Sequence, residues 1–330
     1  MGINVGNKII HLILALIFLT SFTSIANAGK ETMIVSSRLI LSTSIYGNIV
    51  TWADTFTNGA YMYNLTTGNI TGLGHAESSP SIQGDKIIWC DDGSVIVYNI
   101  STGKEIKIVN ASSPAVYGDY LVYVRSKSVD CLPVSYQNDM YNSLYLYNFS
   151  TNKEVQLVPY THATYHASVY GDKIVWGRVN QVNSSEWSRN TSIYDIPTKR
   201  LSDISRSVRG GGGEIYGNII VWIESKNESR DVYMTDIAKH ETRQVTFDGN
   251  STSPDVYGDR IVWEKQYWVG NNLSNDVCVY NISTNETTVI TSAHHPAIYD
   301  DKIVYIRASN DPEDQEGNHI FLYNLSVSNS

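Results

Sequence analysis

A pattern of twelve residues occurs seven times in this chain and constrains its fold more than any other feature. The clearest copy is SPDVYGDRIVWE at residues 253–264. The other copies are STSIYGNIVTWA from residue 42, SPSIQGDKIIWC from 79, SPAVYGDYLVYV from 113, HASVYGDKIVWG from 166, GGEIYGNIIVWI from 212 and HPAIYDDKIVYI from 295. Most copies place Gly-Asp or Gly-Asn before an alternating Ile/Val/Trp run. Such a turn between β-branched runs predicts a β-hairpin, because both turn residues tolerate a positive φ.

The spacing of the copies predicts the architecture. From Gly47 in the first copy to Asp300, which takes the glycine place in the last, there are 253 residues over six intervals, a mean of about 42. After each hairpin a second apolar run ends in a turn, and most copies then add a short fourth run. Four strands at this period are typical of a propeller blade. We therefore predict an all-β fold, a seven-bladed β-propeller of four-stranded antiparallel blades, with strands a to d in chain order.

The two ends of the chain predict how the ring closes. The seventh copy ends in IFLYNLSVSNS without a fourth strand, whereas ETMIVSS, residues 31–37, precedes the first copy. This segment has the spacing of a strand d relative to the next strand a. We therefore expect it to complete the last blade, which would leave no long open edge. Residues 29–330 would then form one propeller domain.

Residues 1–28 have the features of a secretory signal peptide. Lys8 supplies a positive charge, residues 9–19 are apolar, and Ala26-Asn27-Ala28 is a small-x-small cleavage site. The alternative is an uncleaved N-terminal anchor, since residues 9–28 are long enough to span a membrane. No second stretch of that kind follows. The expected location is outside the cell or on its surface.

Charge and cysteine content narrow the class of protein. The chain has 33 acidic and 24 basic residues, a net charge of −9, which argues against a nucleic-acid partner because such a partner needs a basic surface. Three cysteines are too few for a disulfide scaffold. A bridge between Cys90 and Cys131 would join neighbouring blades, and Cys278 is expected to be a buried thiol.

The chain is rich in Asn-x-Ser/Thr sequons, which are glycan acceptors in a secreted protein. Some of them open the turn between strands c and d, where Asn is explained by turn chemistry alone: Asn64, Asn99, Asn148, Asn281 and Asn324. Others lie outside that turn and are better candidates for glycosylation: Asn183, Asn190, Asn227 and Asn272.

The connections between strands b and c differ most among the copies. Blade two has three residues there, 91–93, but residues 125–142, 178–190, 265–275 and 307–318 are longer insertions. These connections and the d-to-a connections lie on one face, here called the loop face, and the other turns lie on the short-turn face. The loop face is expected to carry ligand-binding residues, with Trp187, Trp268 and Arg178 as candidates. The alternative is that these tryptophans fold back onto the blades.

A second candidate site lies at the mouth of the central channel. Strand a is innermost, so residues at its start are expected near that mouth: His166, Glu214, Asp255, His294 and His295. Imidazole and carboxylate groups are ligands for divalent metals. The alternative is a hydrated polar mouth without a metal, since no local metal-spacing motif is present. The run Gly210–Gly213 is expected to mark a bulge or a close backbone approach, with a ligand-facing role as the alternative.

The repeat, with its YGDKIVW hairpin followed by runs such as VYMTDIAKHETRQVT, resembles the TolB-type β-propeller repeat found in secreted and cell-surface proteins of methanogenic archaea. The resemblance covers residues 31–330. It departs from that family in having YGD or YGN where TolB has Ser-Pro-Asp-Gly, and the N-terminal domain of TolB is missing. The resemblance implies surface recognition or scaffolding more than a reaction, because propellers host many functions.

Two classes of function follow. The first is a non-catalytic module on the cell surface that binds an extracellular protein or polysaccharide with its loop face and needs no cofactor. The second is a metal-dependent propeller enzyme, such as a polysaccharide lyase, that uses the histidine-rich mouth. No nucleophile elbow and no dinucleotide fingerprint occurs in the sequence.

Overall fold

The computed structural model describes residues 30–127, 141–159, 161–162, 164–181, 187–207, 209–210, 212–226, 229–309, 314 and 317–326. These residues form β-strands joined by turns, and none of them is helical. The strands assemble into seven antiparallel sheets, each containing one copy of the repeat. The predicted seven-bladed all-β propeller is confirmed. In this part of the chain no helix is long and apolar enough to cross a membrane.

The first three blades follow one another along the chain. Their strands are β2 (Ile40–Tyr46), β3 (Ile49–Asp54), β4 (Gly59–Asn64) and β5 (Ile70–His75); β6 (Ser81–Gln83), β7 (Lys86–Asp91), β8 (Ser94–Asn99) and β9 (Lys104–Val109); and β10 (Ser112–Tyr117), β11 (Tyr120–Lys127), β12 (Tyr141–Asn148) and β13 (Lys153–Gln156). In blade three, β14 (Thr161–His162) also pairs with β12.

Blades four to seven complete the ring. Their strands are β15 (Thr164–Tyr170), β16 (Lys173–Gln181), β17 (Trp187–Asp195) and β18 (Arg200–Ser207); β19 (Arg209–Gly210), β20 (Glu214–Tyr216), β21 (Ile219–Lys226), β22 (Ser229–Asp236) and β23 (Glu241–Gln244); β24 (Ser251–Tyr257), β25 (Arg260–Val269), β26 (Asn272–Asn281) and β27 (Thr287–Ile290); and β28 (His294–Tyr299), β29 (Lys302–Ala308), β30 (Asn318–Asn324) and β1 (Lys30–Ser37).

The N-terminal strand closes the last blade. β1 pairs antiparallel with β30, with Lys30 opposite Asn324 and Ser37 opposite Asn318. The innermost strand of blade seven, β28, also contacts the innermost strand of blade one, β2. The ring is therefore closed as the sequence predicts, and the outer edge of β30 is covered.

Apolar side chains hold each blade against the next. Among the described residues there are seven buried clusters, and each spans one junction between neighbouring blades. The tryptophans of strand b lie in these clusters and are almost fully buried: Trp52, Trp89, Trp176, Trp222 and Trp263. Cys278 is buried as predicted, and Cys90 is a free, half-buried thiol. Cys131 lies outside the described residues, so nothing in the described structure supports its bridge to Cys90.

A bulge recurs in the innermost strands of several blades, whereas the sequence predicts one only at the glycine run of blade five. The register of β24 shifts between Thr252 and Asp255, and that of β28 shifts between His294 and Ala297. The residue five places before the turn has a positive φ in several blades: Ser113, His166, Ser253 and His295, each near 50°. A bulge of this kind changes the direction in which its side chains point. It therefore decides where the channel histidines lie.

The glycine run fits the same bulge in blade five. Gly212 has a φ of 79°, and a Cβ atom there would lie 2.9 Å from the Cβ of His166. A Cβ on Gly213 would lie 2.6 Å from the carbonyl oxygen of Val221. Both glycines are required for close approach, as expected, and Gly212 makes room for the imidazole of the neighbouring blade.

Candidate functional site

The innermost strands arrange the channel in layers. Alternate residues of a strand point to the same side, so positions one and three places before the turn both face the channel. The layer nearest the short-turn face is a ring of tyrosines, and Gln83 takes their place in blade two. Neighbouring tyrosine rings are tilted by 40–53° with centroids 4.2–4.7 Å apart: Tyr46, Tyr117, Tyr170, Tyr216, Tyr257 and Tyr299. The next layer contains Glu214 and Asp255, and small residues occupy the other blades.

One acidic cluster joins blades four, five and six inside the channel. The Nε2 atom of His166 lies 2.9 Å from Oε1 of Glu214. Asp255 Oδ2 accepts the backbone N–H of Ile298 at 3.0 Å, and its Oδ1 accepts the N–H of Val256 at 2.7 Å. The structure thus pairs His166 with Glu214, and Asp255 lies close enough to interact with their charges. The hydrogen bonds also show that Asp255 is positioned by the neighbouring blade.

The charges in this cluster are shifted by their surroundings. Burial, followed by the nearby charge of Glu214, raises the pKa of Asp255 to about 7. The hydrogen bond that His166 donates to Glu214 raises the pKa of His166. Burial opposes ionisation of Glu214, but its contacts with His166 outweigh this and lower the pKa of Glu214. The pKa of Asp255 is therefore close to the value that suits a general base at neutral pH.

A second cluster lies between blades six and seven. The Nδ1 atoms of His294 and His295 are 2.8 Å apart, and His295 Nδ1 lies 3.8 Å from Oε2 of Glu264. One ligand atom from each of these three residues lies within 4.8 Å of the others. Burial, followed by the charge of His295, lowers the pKa of His294, so this imidazole is neutral near pH 7. The predicted ligands are therefore divided between two clusters rather than gathered at one site.

Glu264 is the residue that sequence reasoning missed. It is only 3% exposed, and its carboxylate accepts the N–H of His295 at 3.0 Å and the amide of Gln266 at 2.9 Å. The signal was present in the aligned copies, because the other residues at this place are apolar or small: Ala53, Cys90, Val124, Gly177, Ile223 and Ile306. A carboxylate at a position that is otherwise apolar or small indicates a candidate ligand.

The long insertion of blade six is a projecting hairpin. We expected residues 265–275 to form a loop, but β25 and β26 continue as paired strands until the turn at Gly270, whose φ is 63°. A Gly-Asn turn that follows the run Tyr267-Trp268-Val269, rich in residues with high β-propensity, favours this hairpin. Trp268 therefore lies in a strand opposite Leu273, and 70% of it is exposed. Val269 and Leu273 are exposed beside it.

The other loop-face candidates have different environments. Trp187 is the first residue of β17, and its side chain lies outside the described part of the structure. The Nη2 atom of Arg178 lies 3.0 and 3.1 Å from the two carboxylate oxygens of Asp203. This pairing occupies the guanidinium group within the blade. Of the three candidates, Trp268 is the one whose side chain the structure places in open solvent.

The glycosylation candidates can be sorted by exposure. Asn272 is exposed on the projecting hairpin. Asn190 is only 5% exposed, and its amide nitrogen donates to Asp203 at 2.7 Å, so this nitrogen is inaccessible in the folded protein. Asn183 and Asn227 lie outside the described residues. The turn asparagines act as expected from turn chemistry: Oδ1 of Asn281, for example, accepts the backbone N–H groups of Ser283 and Thr284, both at 2.9 Å.

Comparison with known proteins shows the fold but no family. No family model matches the sequence, and no curated protein matches it. An oligogalacturonate lyase in complex with manganese has 13% identity and a TM-score of 0.64, covering 92% of this chain and 95% of that chain. The β-propeller domain of the Trilobed protease from Pyrococcus furiosus has 14% identity and a TM-score of 0.63, covering 90% and 98%. At these identities the likeness is one of fold.

A TolB structure is also among the similar solved structures. TolB from Acinetobacter baumannii has 10% identity and a TM-score of 0.49, covering 88% of this chain and 79% of that chain. This score supports no inference about function. The seven-bladed fold rests on the sheets themselves, and the archaeal cell-surface resemblance stays a prediction.

Proposed function

We propose that this chain is a secreted or cell-surface, non-catalytic propeller module that recognises an extracellular protein or polysaccharide with its loop face. The observation that carries this proposal is the apolar tip of the β25–β26 hairpin, formed by Trp268, Val269 and Leu273, all exposed. Exposed aromatic and aliphatic groups on a rigid element are the usual anchors of an interface. Secretion rests on the signal-peptide features of residues 1–28.

The hairpin is built to hold this tip away from the blade. Ten residue pairs join β25 and β26, from Arg260 opposite Asn281 to Val269 opposite Asn272. Tyr267 donates to Asp276 Oδ1 at 3.1 Å and braces the two strands close to the tip. A rigid anchor loses little conformational entropy when it binds, so each apolar contact adds more to affinity.

The test uses single substitutions on a folded protein. Trp268→Ala should weaken binding to purified cell-envelope material or to a panel of neutral and acidic polysaccharides by at least about tenfold, as expected for an interface anchor. Ile70→Ala removes an exposed apolar group from an outer strand of blade one and should leave binding unchanged. Unchanged melting temperatures show that both variants fold. Equal binding by Trp268→Ala and the unmodified protein would contradict the proposal.

A second candidate function is a metal-dependent enzyme, such as a polysaccharide lyase. It is favoured by the group Glu264, His294 and His295, and by Asp255, whose raised pKa suits a general base near pH 7. The likeness to a lyase that binds manganese is compatible with this function. Divalent-cation-dependent formation of unsaturated products from acidic polysaccharides, lost in Asp255→Asn, would support it. If no unsaturated product forms with any divalent cation, the enzyme function is contradicted and the recognition role is the remaining proposal.

A further inference from the structure

We propose that Glu264, His294 and His295 bind one first-row divalent cation, of the zinc, cobalt or manganese class, at the junction of blades six and seven. Two imidazoles and one carboxylate are a ligand set that leaves a coordination position for water or a ligand. This inference goes beyond the recognition role and does not depend on it. Loss of binding by the hairpin tip would say nothing about the cation.

The buried charge of Glu264 is the first argument. The carboxylate is almost fully buried, and taking an ionised group out of water is costly unless an opposite charge lies close to it. Within the described ranges, Glu264 has an ion-pair contact with His295 at 3.8 Å and none with a lysine or arginine. Its two hydrogen-bond donors, the N–H of His295 and the amide of Gln266, are neutral. A cation between the carboxylate and the imidazoles would supply the missing charge.

The spacing of the ligand atoms is the second argument. Ligands about 2.0–2.1 Å from a tetrahedral ion lie about 3.3 Å from one another. The two observed separations, 2.8 Å between the imidazole nitrogens and 3.8 Å from His295 to Glu264, lie on either side of this value. The third pair, His294 and Glu264, lies within 4.8 Å, so changes of at most about 1.5 Å in side-chain position bring all three separations to this value.

Rigid elements hold all three ligands, which is the third argument. Glu264 lies inside β25 and is paired with Thr252 on one side and Val277 on the other. His295 lies in the bulge of β28 with a φ of 51°, and its N–H donates to Glu264. Its carbonyl oxygen accepts the hydroxyl of Thr43 in blade one at 3.3 Å. Ligands positioned by strands lose little freedom when a cation binds.

His166 provides a matched control for this site. It occupies the place of His295 in the copy of blade four and has nearly the same φ, 49°. However, its imidazole pairs with Glu214 and belongs to the other cluster. If removal of any channel histidine weakened cation binding, both His166→Ala and His294→Ala would show the loss. If the cation binds at the proposed site, only His294→Ala would show it.

The experiment measures binding of zinc and manganese to the purified protein after treatment with a chelator. Calorimetric titration should show one site per chain, and saturating cation should raise the melting temperature because it stabilises the folded state. Glu264→Gln and His294→Ala should each weaken binding by at least about tenfold, and His166→Ala should leave it unchanged. Cobalt should show the intense visible absorption of a four-coordinate ion, reduced in Glu264→Gln.

Three results would overturn the proposal. The first is the absence of stoichiometric binding of either cation to the unmodified protein, which would indicate that hydrogen bonds alone hold the carboxylate of Glu264. The second is unchanged affinity in the Glu264→Gln, His294→Ala double variant, provided that its melting curve shows a folded protein. The third is an equal loss in His166→Ala, which would assign the cation to the other cluster.

Discussion

Blade three and blade seven hold their outer strands with the same three side chains. In blade three the Tyr123 hydroxyl donates to Glu154, whose Oε2 lies 2.7 Å from Nη2 of Arg125. In blade seven the Tyr305 hydroxyl donates to Glu31, whose Oε1 lies 2.8 Å from Nη1 of Arg307. In both blades the arginine also lies over aromatic rings of strands b and c. These are the two blades in which tyrosine replaces the strand b tryptophan.

The two blades differ in how the glutamate reaches its partner. Glu154 is 31 residues from Tyr123, whereas Glu31 is 274 residues from Tyr305. In an unfolded chain the longer closure costs about 2 kcal/mol more. The closing strand has a longer ladder, since seven residue pairs join β1 to β30 and four join β12 to β13. The two blades thus have the same side-chain contacts, but blade seven, whose outer strand comes from the far end of the sequence, has more backbone pairs.

The largest expected effect comes from deleting residues 29–37. This removes β1, exposes the edge of β30, and takes Val35 out of the cluster between blades seven and one. Burial of Val35 alone is worth about 1.5–3 kcal/mol, and the ladder and the Glu31 contacts add to it. We expect a much lower melting temperature or failure to fold. A truncated protein that melts at the temperature of the full chain would refute closure by this strand.

A smaller and matched effect is expected for Tyr305→Phe and Tyr123→Phe. Both tyrosines are fully buried, and both variants keep the ring that stacks on strand c. Loss of a hydrogen bond to a carboxylate that is about one-third exposed should lower the free energy of unfolding by about 1–2 kcal/mol in each blade. Denaturant titrations measure both values. A difference of more than about 1 kcal/mol would show that the two triads are not equivalent.

The same comparison shows why the fold was predictable from the sequence. The repeat specifies local structure in every blade: Gly258 takes a φ of 60°, and Asp300 takes 54° in the same turn. Because one unit recurs, each copy supports the others, and the count of strands predicts that β1 completes blade seven. Closure was therefore readable from residues 31–37, although the chain ends are far apart in sequence.

The candidate site was only partly predictable, because it depends on contacts between blades. His294 and His295 were selected from their place in the repeat, but Glu264 lies in another strand of another blade. The bulge that sets the φ of His295 turns this residue toward Glu264. The sequence of the repeat does not predict this shift in register. Likewise, the five residues chosen from the start of strand a occupy different places in the repeat: Glu214 and Asp255 lie three places before the turn, and His166 and His295 lie five places before it. They separate into two clusters.

The smallest change in global stability is expected for Glu31→Gln and Glu154→Gln. These two variants distinguish local opening of an outer strand from global unfolding. Each substitution removes the charge that pairs with arginine but keeps the size of the side chain. Both glutamates are 36% exposed in their side chains, so each change should cost less than about 1 kcal/mol of global stability. The blades should nevertheless respond differently, because β1 is joined to the described ring at one end only, by residues 38–39, whereas β13 is joined to it at both ends by short connections.

Amide hydrogen exchange followed by mass spectrometry tests this difference. In Glu31→Gln, peptides that contain β1 and β30 should exchange roughly fivefold faster, the factor expected for about 1 kcal/mol of easier opening, while the other blades stay protected. In Glu154→Gln the change should be confined to β13, since β12 remains paired with β11. If the ring opens only as a whole, exchange would instead rise in every blade of both variants. That result would mean that the seven residue pairs between β1 and β30 make β1 as stable as the rest of the ring, despite the cost of closing the propeller between residues far apart in sequence.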